Sequence, residues 1–267
     1  MDLDLTKMLA DWPYEAGKIN VRLIQAENGE PLIQVRLDLG LLQMHAEGRP
    51  DGETPHGYGS ILEYLEAKRD GTSFGTLLDE DEEHAAGGTD MPAEGDEAFE
   101  INSDEARQLR EEAVQYYHRY IAMLVLDDYE AVVRDTARNL RALDFCRDHA
   151  TEDEDRDGLE QFRPYILMMR SRALASLMIR QDEPKAALLA VDEGLSALKA
   201  CFEERGEPEA FASSQEAKML TSMRDALLPK LPVSQSAELR ERLSKAIAAE
   251  NYELAAILRD ELASLGD

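Results

Sequence analysis

The stretch from Asp79 to Glu105 holds twelve carboxylates and no lysine or arginine, with two adjacent glycines, one proline and few apolar residues among them. Such a segment has too little apolar surface to offset the entropy of ordering it. It predicts a self-repelling linker over 79–102, dividing the chain into a small unit at 1–78 and a longer body beyond. An acidic arm that docks on a basic partner is the functional alternative to a solvated spacer. The whole chain carries 56 acidic against 29 basic residues, a formal charge of -27. That field disfavours direct binding of nucleic-acid phosphates or anionic membranes.

The amino terminus, MDLDLTKMLADW, is acidic where a secretory leader is basic, and no long apolar run follows it. Cys146 and Cys201 stand far apart, without partners at ligand spacing, which argues against a disulfide scaffold or a zinc cluster. The acidic run TEDEDRDG lacks the glycine and terminal glutamate offsets of a calcium loop. The expectation is therefore a cytoplasmic protein with no metal and no cofactor.

Within the first unit, Ile19, Val21 and Leu23 alternate with Asn20 and Arg22, and Ile33, Val35 and Leu37 alternate with Gln34, Arg36 and Asp38. Asn28-Gly29 between two alternating runs predicts a β-hairpin. The glycine-rich stretch that follows reads as loop. Ser60 with Glu63 then forms the signature of a helix start, and Gly71 a stop. Arg49, Asp51, His56 and Tyr58 share the loop and, with Arg36, make up a candidate binding or catalytic set. No phosphate-cradle motif accompanies them.

From Asn102 to about Leu231 the apolar residues recur at helical spacing. Asn102 and Glu105 open the first helix. Five helices are expected, joined by short acidic turns at Asp127-Asp128 and Asp182-Glu183-Pro184, the last over roughly 211–228. Tyr116, Tyr117, His118, Tyr120 and the pair Met168-Met169 read as core packing rather than catalytic groups. The segment ALASLMIRQDEPKAALLAVDEGLSAL resembles a tetratricopeptide repeat over about one repeat, with Ala175, Ala187 and Gly194 as the small residues and Leu174 in the core. That resemblance implies a groove for a peptide or a partner helix.

Pro229 and Pro232 end this region. Leu239, Leu243, Ala246 and Ile247 then line one helix face, Glu250-Asn251 breaks the pattern, and Ala255, Leu258, Leu262 and Leu265 make a heptad-like, coiled-coil seam on a second helix. Leu254 and Ile257 add apolar surface beside that seam. The pattern L-x3-L-x2-AI-x2-E-x-YE-x-AA-x-LRD-x-L resembles the UVR motif, the short helical hairpin shared by UvrB and UvrC, with Tyr252 where the family more often has Phe. The resemblance implies a protein–protein module that pairs with another such hairpin. It implies partner contacts by Leu239, Leu243, Ile247, Tyr252, Glu253, Ala255, Ala256, Leu258, Arg259, Asp260 and Leu262. Implied partners are UvrB- or UvrC-like proteins, Clp ATPases, arginine-kinase adaptors, or a second copy of the chain.

The fold class expected is mainly α, with a small N-terminal β-hairpin-plus-helix unit at 1–78, a tetratricopeptide-like helical domain at 103–231 and a helical hairpin at 236–265. The function expected is that of a non-catalytic adaptor; an accessory protein of nucleotide excision repair is second, and an enzyme built on Arg36, Arg49, Asp51 and His56 is third. Gly29 tests the first unit. Gly29→Val forces a β-branched residue into positive φ, and urea unfolding should show a loss of about 1–2 kcal/mol.

Overall fold

The computed structural model describes residues 4–72, 99–228 and 235–248, together with 254 and 257–259. Met1–Arg224 and Asp225–Asp267 are two compact units. The chain is mostly helical with one small antiparallel sheet, as expected.

The first unit opens with a short helix α1 (Thr6–Asp11) and three strands, β1 (Asn20–Gln25), β2 (Pro31–Arg36) and β3 (Leu41–His45), in the order β1-β2-β3. Gly29 has φ 87° and closes the β1–β2 turn, its N–H donating to the Ala26 carbonyl while Ala26 pairs with Glu30. The turn is a three-residue loop with glycine in the left-handed position, rather than the two-residue loop that Asn-Gly favours. The third strand falls in the segment read as loop; it is only five residues long and is followed by glycines and prolines, which hid its alternation.

Register places Leu23, Ile33 and Met44 in one cross-strand row and Arg22, Gln34 and Gln43 in the next. In the polar row, Arg22 donates to Gln34 at 2.8 Å and Gln34 donates to Gln43 at 2.7 Å. Trp12 packs on the Arg22 guanidinium at 4.2 Å, so the second face of the sheet is covered too. Strand β2 is thereby buried on both faces. The apolar row is buried at Ile33 and Met44, while Ile19, Leu23 and Leu37 are exposed along the edge strand and the adjoining turn.

Helix α2 (Ile61–Arg69) starts at Ser60, whose hydroxyl accepts from the Glu63 N–H, as the sequence predicts. Helix α3 (Ser103–Val125) starts with a complete capping box between Asn102 and Glu105. Then come α4 (Tyr129–His149), a short α5 (Asp153–Asp157) within the acidic run, α6 (Arg163–Arg180) and α7 (Pro184–Glu204). The expected fifth helix is α9 (Gln215–Leu227), which starts a few residues later than 211, where the Ser214 hydroxyl accepts from the Ala217 N–H; a short α8 (Pro208–Phe211) precedes it. Helices α3, α4, α6 and α7 stack in sequence as antiparallel neighbours.

Both hairpin turns end in a non-glycine residue with positive φ, Asp127 at 57° and Asp182 at 61°. At each, the next N–H returns to the carbonyl five residues back, Asp128 to Met123 and Glu183 to Met178. Aspartate tolerates this left-handed position better than most residues. Between α6 and α7 the close approach falls on small residues. Ala175 and Ala187 are fully buried, and a side chain at Gly194 would run into Ser171.

Where the sequence divides the chain at the acidic stretch, the contacts join residues on both sides of it. Ile61, Leu62 and Leu65 of α2 share one core with Leu109 of α3, Leu143 and Phe145 of α4, and Ile166 of α6. Most of the predicted linker lies outside the described residues; its end, Ile101, is fully buried and bridges Ala150.

Buried charges reinforce this junction. Glu112 on α3 is 0% exposed and accepts from the Ile61 N–H at 2.7 Å and the Leu62 N–H at 3.3 Å, capping α2 with a carboxylate from another helix. It also pairs with Arg49 at 2.9 Å and with Arg138. One turn pair further on, Arg119 makes a two-point ion pair with Asp135, both buried, and donates to the Gly48 carbonyl at 2.7 Å. Removing one member of such a set leaves an uncompensated buried charge. Glu112→Gln should therefore lower stability by about 3–5 kcal/mol in urea unfolding. The exposed neighbour changed alike, Glu111→Gln, should stay within about 0.5 kcal/mol.

Candidate functional site: the C-terminal hairpin

The second unit is built on α10 (Gln235–Ala248). Its apolar residues sort by helical angle. Ala246 is buried and Leu243 half-buried, whereas Ile247, one residue on, is 54% exposed. Beyond the break, 254 and 257–259 are helical. Leu258 is 1% exposed and packs on Ala246 and Leu243, so the two segments close on each other as a hairpin. Ile257 beside it is 63% exposed, and Leu254 and Arg259 are also exposed.

The candidate residues thus separate into two groups. Leu243 and Leu258 hold the hairpin together, with Ala246. Ile247 and Arg259 face outward, and Leu254 and Ile257, read as surplus apolar surface, do the same. Leu239 lies on α10. Tyr252, Glu253, Ala255, Ala256, Asp260 and Leu262 lie outside the described residues.

The other candidate set disperses. Arg36 donates to the backbone carbonyls of Trp12, Asp38 and Gly40, which fixes the β2–β3 turn. Arg49 pairs with Asp51 at 2.9 Å and with Glu112, and so belongs to the buried charges beneath α2. His56 stacks on Tyr64 with ring centroids 4.1 Å apart. Arg36 bonds within the sheet and its turn, while Arg49 and Asp51 pair with each other and meet Glu112 and Gln115 of α3. Glu112, central to the packing, has no sequence signature, because its partners come from three separate segments, the loop of Arg49, the start of α2 and Arg138 of α4.

Burial pushes the Cys146 thiol up to about 11 and raises that of Cys201, which keeps both protonated at neutral pH. Among the described residues no cluster of histidine, cysteine and carboxylate side chains could hold a metal ion, and no helix is long and apolar enough to cross a membrane.

The hairpin thus has an inward leucine–alanine seam and an outward apolar surplus. Residues 236–267 match the family model described as the UvrB/uvrC motif. No curated protein and no solved structure matches the chain.

The packing makes Leu258 the pin of the hairpin. Leu258→Ala should destabilise that unit by about 2–5 kcal/mol. Hydrogen exchange would read this as faster exchange over 235–259 with protection at 103–204 unchanged.

Proposed function

We propose that the protein is a non-catalytic adaptor of the cytoplasm that docks a protein partner through the outward face of its C-terminal hairpin. The observation that carries this reading is the exposure of Ile247 and Ile257 beside a seam already closed by Leu258. An apolar surplus on so small a unit is the mark of a surface that another molecule covers. The UvrB/uvrC motif match supports a protein partner, and pairing with a second hairpin of the same kind fits its chemistry. In this reading Ile247, Leu254 and Ile257 supply the contact, Arg259 orients it, and the tetratricopeptide-like helices of the first unit act as scaffold. The net charge of -27 favours a protein over nucleic acid as the bound species.

The motif match supports a second reading, an accessory protein of excision repair. Affinity capture from the native host separates the two by the identity of what is retained. Full-length protein, a 1–233 truncation and Ile257→Glu are compared in parallel. Glutamate at a desolvated interface position should weaken capture at least about tenfold while the thermal midpoint stays near that of the parent. Equal capture by all three proteins would refute docking through the hairpin.

A further inference from the structure

Strand β1 is an outer strand of the sheet, and its outward edge is open. The Ala26 N–H donates to the Glu30 carbonyl at 2.9 Å, which fixes the alternation of the β1–β2 ladder. Asn20, Arg22 and Ile24 therefore turn their backbone groups toward β2, while Val21, Leu23 and Gln25 turn theirs away from it. Among the described residues no hydrogen bond reaches these outward groups. The opposite edge differs. On β3 the His45 N–H donates to the Pro50 carbonyl at 2.8 Å, and Arg119 donates to the His45 carbonyl at 3.2 Å. The loop after β3 and helix α3 thus close one end of that edge.

The open edge lacks the devices that keep strands apart. Over its six residues β1 has no proline, glycine, lysine or bulge. Its one charge, Arg22, lies on the second face of the sheet, against Trp12 and bonded to Gln34. On the other face Leu23 is 57% exposed and Ile19, just before the strand, is 51% exposed, beside a row in which Ile33 and Met44 are buried. A strand added here would continue that row and cover Leu23.

We infer that the added strand is β1 of a second copy of the chain, paired antiparallel about a two-fold axis at Leu23, so that two three-stranded sheets join into one. One register maps the outward residues onto themselves, with Leu23 opposite Leu23 and Val21 opposite Gln25 of the second copy. It satisfies every outward N–H and C=O of the strand, sets leucine against leucine on the apolar face, and places Arg22 opposite Ile24. Centring the pairing one residue earlier would oppose Arg22 to Arg22, and one residue later would carry Val21 past the end of the facing strand. Charge agrees at both ends. Lys18 precedes β1 and Glu27 and Glu30 follow it, so an antiparallel copy brings opposite signs together twice. This self-matching selects a second copy over an unrelated strand, and the contact is separate from docking through the hairpin.

Sedimentation velocity of the full chain from about 1 µM to about 1 mM tests this, in about 0.3 M salt to screen repulsion between copies of charge -27. A concentration-dependent monomer–dimer equilibrium is expected, and over the same range amide exchange in peptides covering 20–25 should slow. Leu23→Lys, which sets ammonium against ammonium, should raise the dimer dissociation constant at least about tenfold. Leu23→Pro should do the same, because it removes an outward N–H and leaves the β1–β2 ladder whole. Both variants should keep the parent's circular dichroism. Ile257→Glu, on the hairpin, should leave the dimer unchanged. The inference is overturned by a chain that stays monomeric throughout, or by a dimer in which exchange over 20–25 ignores concentration. It is equally overturned by a dimer that Ile257→Glu abolishes and both Leu23 variants retain, which would place the self-contact on the hairpin.

Discussion

The Glu112 carboxylate is the interaction on which the first unit depends. It sits with no exposure on α3, yet its acceptors serve the start of α2, the loop arginine Arg49 and Arg138 of α4. A carboxylate so placed is tolerable only because backbone N–H groups and guanidinium groups surround it at once. Each partner comes from a different segment, so one side chain fixes the loop, the helix and the helical stack against each other. The Arg119–Asp135 pair repeats the device nearby and adds the Gly48 carbonyl. Together they make the sheet-bearing segment part of the helical body.

The second unit follows a simpler rule. Its helices carry more apolar surface than their mutual contact covers, so inward and outward residues alternate within a few positions, as at Ile257 and Leu258. The inward set decides whether the hairpin forms. The outward set, Ile247 and Ile257 among it, leaves apolar surface beside a seam that is already closed, and the proposed docking role rests on that division.

What was legible in the sequence is local. The capping residues Asn102 with Glu105 and Ser60 with Glu63, the turn glycine Gly29, and the small residues Ala175, Ala187 and Gly194 all stand where pattern reasoning put them. Each of these rests on neighbours within a few residues or on one helix–helix contact. The UVR pattern was legible for the same reason, being a spacing within one hairpin. The joining of residues 4–72 to the helices was not, because it depends on Glu112, Arg119 and Asp135, whose partners are remote in sequence and look like solvated charges in an acidic chain. Strand β3 and the surface position of Tyr117 were missed because a five-residue strand and an aromatic on a helix face are each decided by what packs on them.

The outward face of the hairpin is the central claim, and hydrogen exchange of the full chain, alone and with the protein it captures, tests it most directly. The account predicts slowed exchange in peptides from 235–259, with exchange in 103–204 unchanged. Slowing confined to the first unit, with the hairpin exchanging as it does alone, would contradict it.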